Sequence, residues 1–104
     1  MQSVTTMKVT LPLDIAYAVR SFPVAEKSDE ERLKRVLATG LFVERAITLA
    51  KAARLAGMHR YEFAMFLKNL GIPAYEYTGI EYEQDQEFIR RYQEQSGEKA
   101  ESDI

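Results

Sequence analysis

Leu49 to Lys68 reads LAKAARLAGMHRYEFAMFLK, and this stretch decides the fold. It has the pattern of a helix, a tight turn at Gly57 and a second helix, the layout of a helix-turn-helix whose second helix can lie in the DNA major groove. The first helix needs a small residue where the second crosses it, and Ala53 stands there. The turn needs a residue that accepts positive φ, and Gly57 follows four positions later. The second helix, from about His59 to Leu70, returns Met58, Phe63, Phe66 and Leu67 to a core, and Gly71 ends it. Two readings of this pattern stand side by side. It suits a DNA reader, and it also suits an ordinary helical hairpin that only packs.

Upstream, Ser28 with Glu31 forms a capping box and starts the longest helix. Leu33, Val36, Leu37, Gly40, Leu41, Glu44 and Ile47 follow the three-four spacing of a buried stripe, with Gly40 a point for close approach of another helix. Asp14 caps a short helix to about Val19, with Ile15, Ala16 and Val19 available to the core. Before it, Ser3 to Leu11 alternates, Met7, Val9 and Leu11 against Thr6, Lys8 and Thr10, so a half-buried strand is expected, ended by Pro12. Residues 21–27 contain Pro23 and read as a loop. Downstream, Ile72 to Thr78 reads as a second short strand, placed by Pro73 at a sheet edge, able to pair with the N-terminal strand of its own chain or of a second protomer. Phe88, Ile89 and Tyr92 then form a narrow apolar stripe on an expected helix from about Tyr82 to Glu94, followed by a frayed acidic end. The expected fold class is mainly α (α+β). Residues 1–79 form the helix-turn-helix domain with its N-terminal strand, and 80–104 form an acidic C-terminal helix and tail.

The 104 residues suit one small core, and no apolar run approaches the ~20 residues of a membrane span. The polar, alternating N-terminus does not read as a signal peptide, and the absence of cysteine excludes disulfides and thiolate chemistry, so the default expectation is a cytoplasmic protein. No phosphate loop, metal-ligand cluster or nucleophile motif occurs, and there is one histidine, so neither an enzyme, a cofactor nor a metal is expected. The net charge of −2 is unevenly spread: residues 45–68 carry a net +4 and residues 76–104 a net −6. A basic centre beside an acidic end suggests two surfaces with different partners, although both also suit plain solvated faces.

For DNA, the candidate contacts are Lys51 and Arg54 to phosphates, and His59, Arg60, Tyr61 and Lys68 along the second helix. Arg60 suits a guanine edge, approached in two-pronged fashion. So few cations imply a salt-sensitive reader that needs a homodimer to span two half-sites of double-stranded operator DNA.

The order of features resembles a prokaryotic family of predicted helix-turn-helix antitoxins, VapB-like and often encoded beside PIN-domain ribonuclease toxins. The resemblance rests on VTLPLDIA at 9–16 and ITLAKAARLAGMHRYEFAMFLKNLGIPAYEYT at 47–78. Its most specific parts are Ala56-Gly57-Met58, Tyr61-Glu62-Phe63 and Gly71-Ile72-Pro73, and it covers roughly Met7 to Tyr82. It implies a dimeric repressor of its own operon that occludes a toxin with its C-terminal segment, for which Phe88, Ile89 and Tyr92 are the candidate contacts. The acidic extension after Asp85 departs from the family pattern. The alternative is a protein-protein interaction module whose helix-turn-helix is used only for packing.

Overall fold

The computed structural model describes residues 3–21 and 28–96. Among the described residues six helices follow one another: α1 (Leu13–Ser21), α2 (Asp29–Val43), α3 (Leu49–Ala56), α4 (Arg60–Asn69), α5 (Gly79–Gln84) and α6 (Gln86–Ser96). The loop expected around Pro23 and the frayed end expected after Ser96 lie outside the described residues.

The core is a three-helix unit of α2, α3 and α4. Ser28 caps α2 as its sequence demands: its Oγ accepts from the Glu31 N–H at 3.1 Å, and Glu31 Oε1 accepts from the Ser28 N–H at 3.2 Å. Thr48 Oγ1 starts α3 by accepting from the Lys51 N–H at 3.1 Å. Leu49, Ala52, Ala53 and Ala56 are the buried residues of α3. Three of these four are alanine, so helix backbones can approach α3 closely on this face. Phe42 from α2 and Phe63 and Leu67 from α4 fill the space that remains, with the two phenylalanine rings edge to face at 6.3 Å. The Arg35 Nε–H donates to the Ala56 carbonyl at 3.1 Å and so satisfies one of the free acceptors at the end of α3.

Two left-handed residues set the turns on either side of α3. Gly57 sits at φ 72°, and the Met58 N–H reaches back to the Ala53 carbonyl at 2.9 Å. Arg45 does the same work after α2 at φ 63°, at a conformational cost that a glycine would not carry. Its guanidinium lies over the Tyr75 ring, 5.0 Å from the centroid, which offsets part of that cost.

Two expectations are corrected. No strand occurs among the described residues, so the fold is helical without a sheet. Residues 3–11 form neither helix nor strand, with Val4, Met7 and Val9 open to solvent. A strand exists only as part of a ladder, and the other candidate strand in this chain folds otherwise. In Ile72 to Thr78 the Tyr77 N–H closes a turn onto the Ala74 carbonyl at 2.9 Å, and the segment crosses the helical core as a strap. Tyr75 stacks on Phe42 with centroids 4.7 Å apart, and Glu76 Oε1 accepts from the Leu49 N–H at the start of α3.

The second correction concerns the face that α2 buries. Ala38 and Phe42 are its buried residues, whereas Leu37 and Leu41, on the expected stripe, are 48% and 37% exposed. Leu37, Gly40 and Leu41 of that stripe look outward, whereas Leu33 and Val36 are half-buried and Ile47 packs against the core. Val36, Leu37, Gly40, Leu41 and Val43 line an open apolar hollow with nothing near Gly40. Helix α1 buries no residue: Ala16 and Val19 are half-buried, while Ile15 is exposed.

Candidate nucleic-acid interface

The start of α4 is built by reciprocal bonds. His59 Nδ1 accepts from the Tyr61 N–H at 3.0 Å, and Glu62 Oε1 accepts from the His59 N–H at 2.9 Å. Histidine thus takes the place that serine or aspartate usually holds at a helix start. With Nδ1 an acceptor, Nε2 carries the proton of the neutral ring, and it lies 3.9 Å from Asp85 Oδ1.

Asp85 is the junction between α5 and α6. Its carbonyl accepts the Ile89 N–H at 2.8 Å, and its side chain turns inward and is 8% exposed. The Arg60 guanidinium grips it with two bonds, Nε to Oδ2 at 2.9 Å and Nη2 to Oδ1 at 3.1 Å. The Tyr77 hydroxyl adds a third at 2.8 Å, and Gln84 Oε1 accepts from Arg60 Nη2 at 3.0 Å. Burial pushes the Asp85 carboxyl up, but the bonds from Arg60 and Tyr77 outweigh it and leave it below the usual carboxylate range. The Tyr77 hydroxyl is held well above its ordinary value, first by burial and then by donation to Asp85. Arg60 is held more firmly protonated by its hydrogen bond to Asp85.

Aromatic rings complete the cluster. Phe88 stacks on His59 with centroids 3.8 Å apart, and Tyr61 meets Tyr77, Phe88 and Tyr92 at 5.9, 6.5 and 5.7 Å. Ile89 is buried. Two sets of candidate residues that the sequence placed in separate regions are therefore one site. His59, Arg60 and Tyr61, candidate DNA contacts, lie against Phe88 and Tyr92, candidate partner contacts.

The remaining candidate cations stand apart from this cluster. Lys51 and Arg54 border an open hollow with Leu41, Ile47 and Leu55, and Lys68 is exposed near the end of α4. Among the described residues none of the three has an ion pair. Sequence reasoning missed Asp85, Tyr77 and Gln84. One signal was present: Asp85, Phe88, Ile89 and Tyr92 are spaced along a single helical face, and an acid heading an apolar stripe needs a buried partner.

Among the described residues no group of acids and histidines suits a metal ion, and no helix is long and apolar enough to cross a membrane. No curated protein and no solved structure matches the chain. A family model does match, over residues 1–91, and the chain belongs to the uncharacterised protein family UPF0175.

Proposed function

We propose that this protein is an antitoxin-type, VapB-like transcription regulator that binds operator DNA as a homodimer and neutralises a PIN-domain-type ribonuclease toxin. The observation that carries the DNA half is the α3–Gly57–α4 hairpin packed on α2, with Lys51, Arg54 and Lys68 exposed around it. Helix α3 supplies phosphate contacts through Lys51 and Arg54, and α4 presents its outer face to the groove. Three cations per protomer are too few for a monomer to hold DNA at physiological salt. The outward stripe of α2 gives a second copy an apolar face to bury, centred on Gly40, where helices can approach closely. The alternating 3–11 segment finds no ladder among the described residues of its own chain, and a second copy can supply one.

The test is electrophoretic mobility of the protein's own promoter with the full chain at low salt. Binding should weaken with a log–log salt slope of roughly −5 for a dimer that neutralises about six phosphates. Reversal of Lys51 and Arg54 to glutamate should abolish it without loss of helicity. Absence of binding by the unaltered protein at low salt overturns the DNA half, and failure to co-purify with a PIN-domain protein encoded alongside overturns the toxin half. A second reading, a packing-only helix-turn-helix in a protein-interaction module, is favoured by the burial of Tyr61 and the engagement of Arg60 by Asp85. It expects charge reversal at Lys51 and Arg54 to leave nucleic-acid binding unchanged.

A further inference from the structure

The residues best suited to read a base edge at the start of α4 are already occupied. We propose that α5 and α6 are an intramolecular competitor of DNA, in which the Asp85 carboxylate takes the two-pronged face of Arg60 that a guanine edge or a phosphate would otherwise fill. The proposal rests on the DNA-binding reading above and adds its regulation.

The geometry supports competition and not coexistence. A guanidinium fork serves one planar acceptor pair at a time, and both of the Arg60 bonds to Asp85 lie at 2.9 to 3.1 Å. Phe88 covers the face of the His59 ring, so that ring is also withdrawn. DNA can reach Arg60 only after α6 lifts. The arm is built to be displaceable, because its hold rests on one ion pair, one hydroxyl, a few ring contacts and the single buried Ile89, and α5 buries no residue. The protein thus has a closed state, in which Lys51, Arg54 and Lys68 supply weak, sequence-indifferent attraction, and an open state, in which Arg60 and His59 add readout.

The experiment compares promoter-duplex binding by the full-length protein, Asp85→Asn, Arg60→Ala and the double variant at one salt concentration. Asp85→Asn should bind about tenfold or more tightly. Arg60→Ala removes the clamp and the base contact together, so it should not reproduce the gain, and added to Asp85→Asn it should cancel it. In the unaltered protein, saturating duplex should speed amide hydrogen exchange across residues 86–92, a readout that needs no variant. Equal affinity of Asp85→Asn and the unaltered protein, or protection of 86–92 by DNA, overturns the proposal while leaving DNA binding intact. If none of the four proteins binds duplex, the DNA-binding reading itself fails, and the competitor role falls with it.

Discussion

Replacing Asp85 with asparagine is the most informative single change, and its effect on the arm can be sized from the contacts. The side chain is 8% exposed and its partner Arg60 is 31% exposed, so the pair lies between the surface and interior cases. Exposed pairs contribute about 0.2–1 kcal/mol, whereas removing one partner of a fully buried pair costs about 3–5 kcal/mol. Asparagine keeps one carbonyl acceptor but loses the charge, leaving Arg60 without a counter-ion. A loss of about 2 kcal/mol in arm docking follows, equivalent to roughly a 30-fold rise in local opening. The assay is native-state hydrogen exchange at the Ile89 amide, bonded to the Asp85 carbonyl inside the arm. The Ala52 amide, bonded to the Thr48 carbonyl in α3, serves as the internal reference. Ile89 should exchange about 30-fold faster while Ala52 holds its rate. Combined with Arg60→Ala, the second substitution should add little, because the interaction is already lost. An Ile89 rate within threefold of the unaltered protein would falsify the view that this pair holds the arm. A parallel rise at Ala52 would do the same, since it would make the pair a support of the whole core.

Other outcomes follow from the same contacts. Phe42→Ala should destabilise the protein by about 3–5 kcal/mol in urea unfolding, since the ring is wholly buried and touches both Phe63 and Tyr75. Gly57→Ala should cost about 1 kcal/mol through its positive φ alone, with Gly57→Asn costing less, because a methyl group there meets open space. Arm docking should also depend on pH at both extremes. Asp85, flanked by Arg60, Tyr77 and His59, has a depressed carboxyl pKa, so its contribution is complete above the ordinary value of 3.8 and is lost as pH falls through its lower folded value. Tyr77 has a raised pKa, so its contribution is complete below 10.0 and declines above it. Exchange at Ile89, corrected for the intrinsic rate, should rise below the first limit and above the second. Finally, Leu41→Glu should shift sedimentation from dimer to monomer with helicity unchanged, because Leu41 lies on the outward face of α2.

Local chemistry was legible in the sequence and partner choice was not. Ser28 with Glu31, Gly57 and Gly71 act within a few residues of themselves, and the structure uses each as its spacing implies. Helix α2 carries apolar residues around more of its circumference than one core needs. Leu33, Leu37 and Leu41 outweigh Ala38 and Phe42 by pattern, yet the smaller set is buried, because α3 is alanine-lined and one phenylalanine fills the gap. The alternation of residues 3–11 states a strand's chemistry without supplying its ladder. Tyr75 and Glu76, read as strand residues, are instead matched one by one to Phe42 and to the start of α3. Arg60 and Asp85 lie 25 positions apart, and nothing local to either names the other.

The strap from Ile72 to Thr78 bears on the order in which the protein matures. The last residue of α4 is Asn69, so by secondary structure alone the helix-turn-helix is complete there. Yet the ring that covers Phe42 is Tyr75, and the acceptor for the first amide of α3 is Glu76, 27 residues downstream of that amide. A nascent chain released up to Asn69 has its hairpin without its cover. The cover of the three-helix unit is therefore supplied only once Glu76 has been synthesised, and the acidic arm follows the strap in the chain and docks on a helix start made before it.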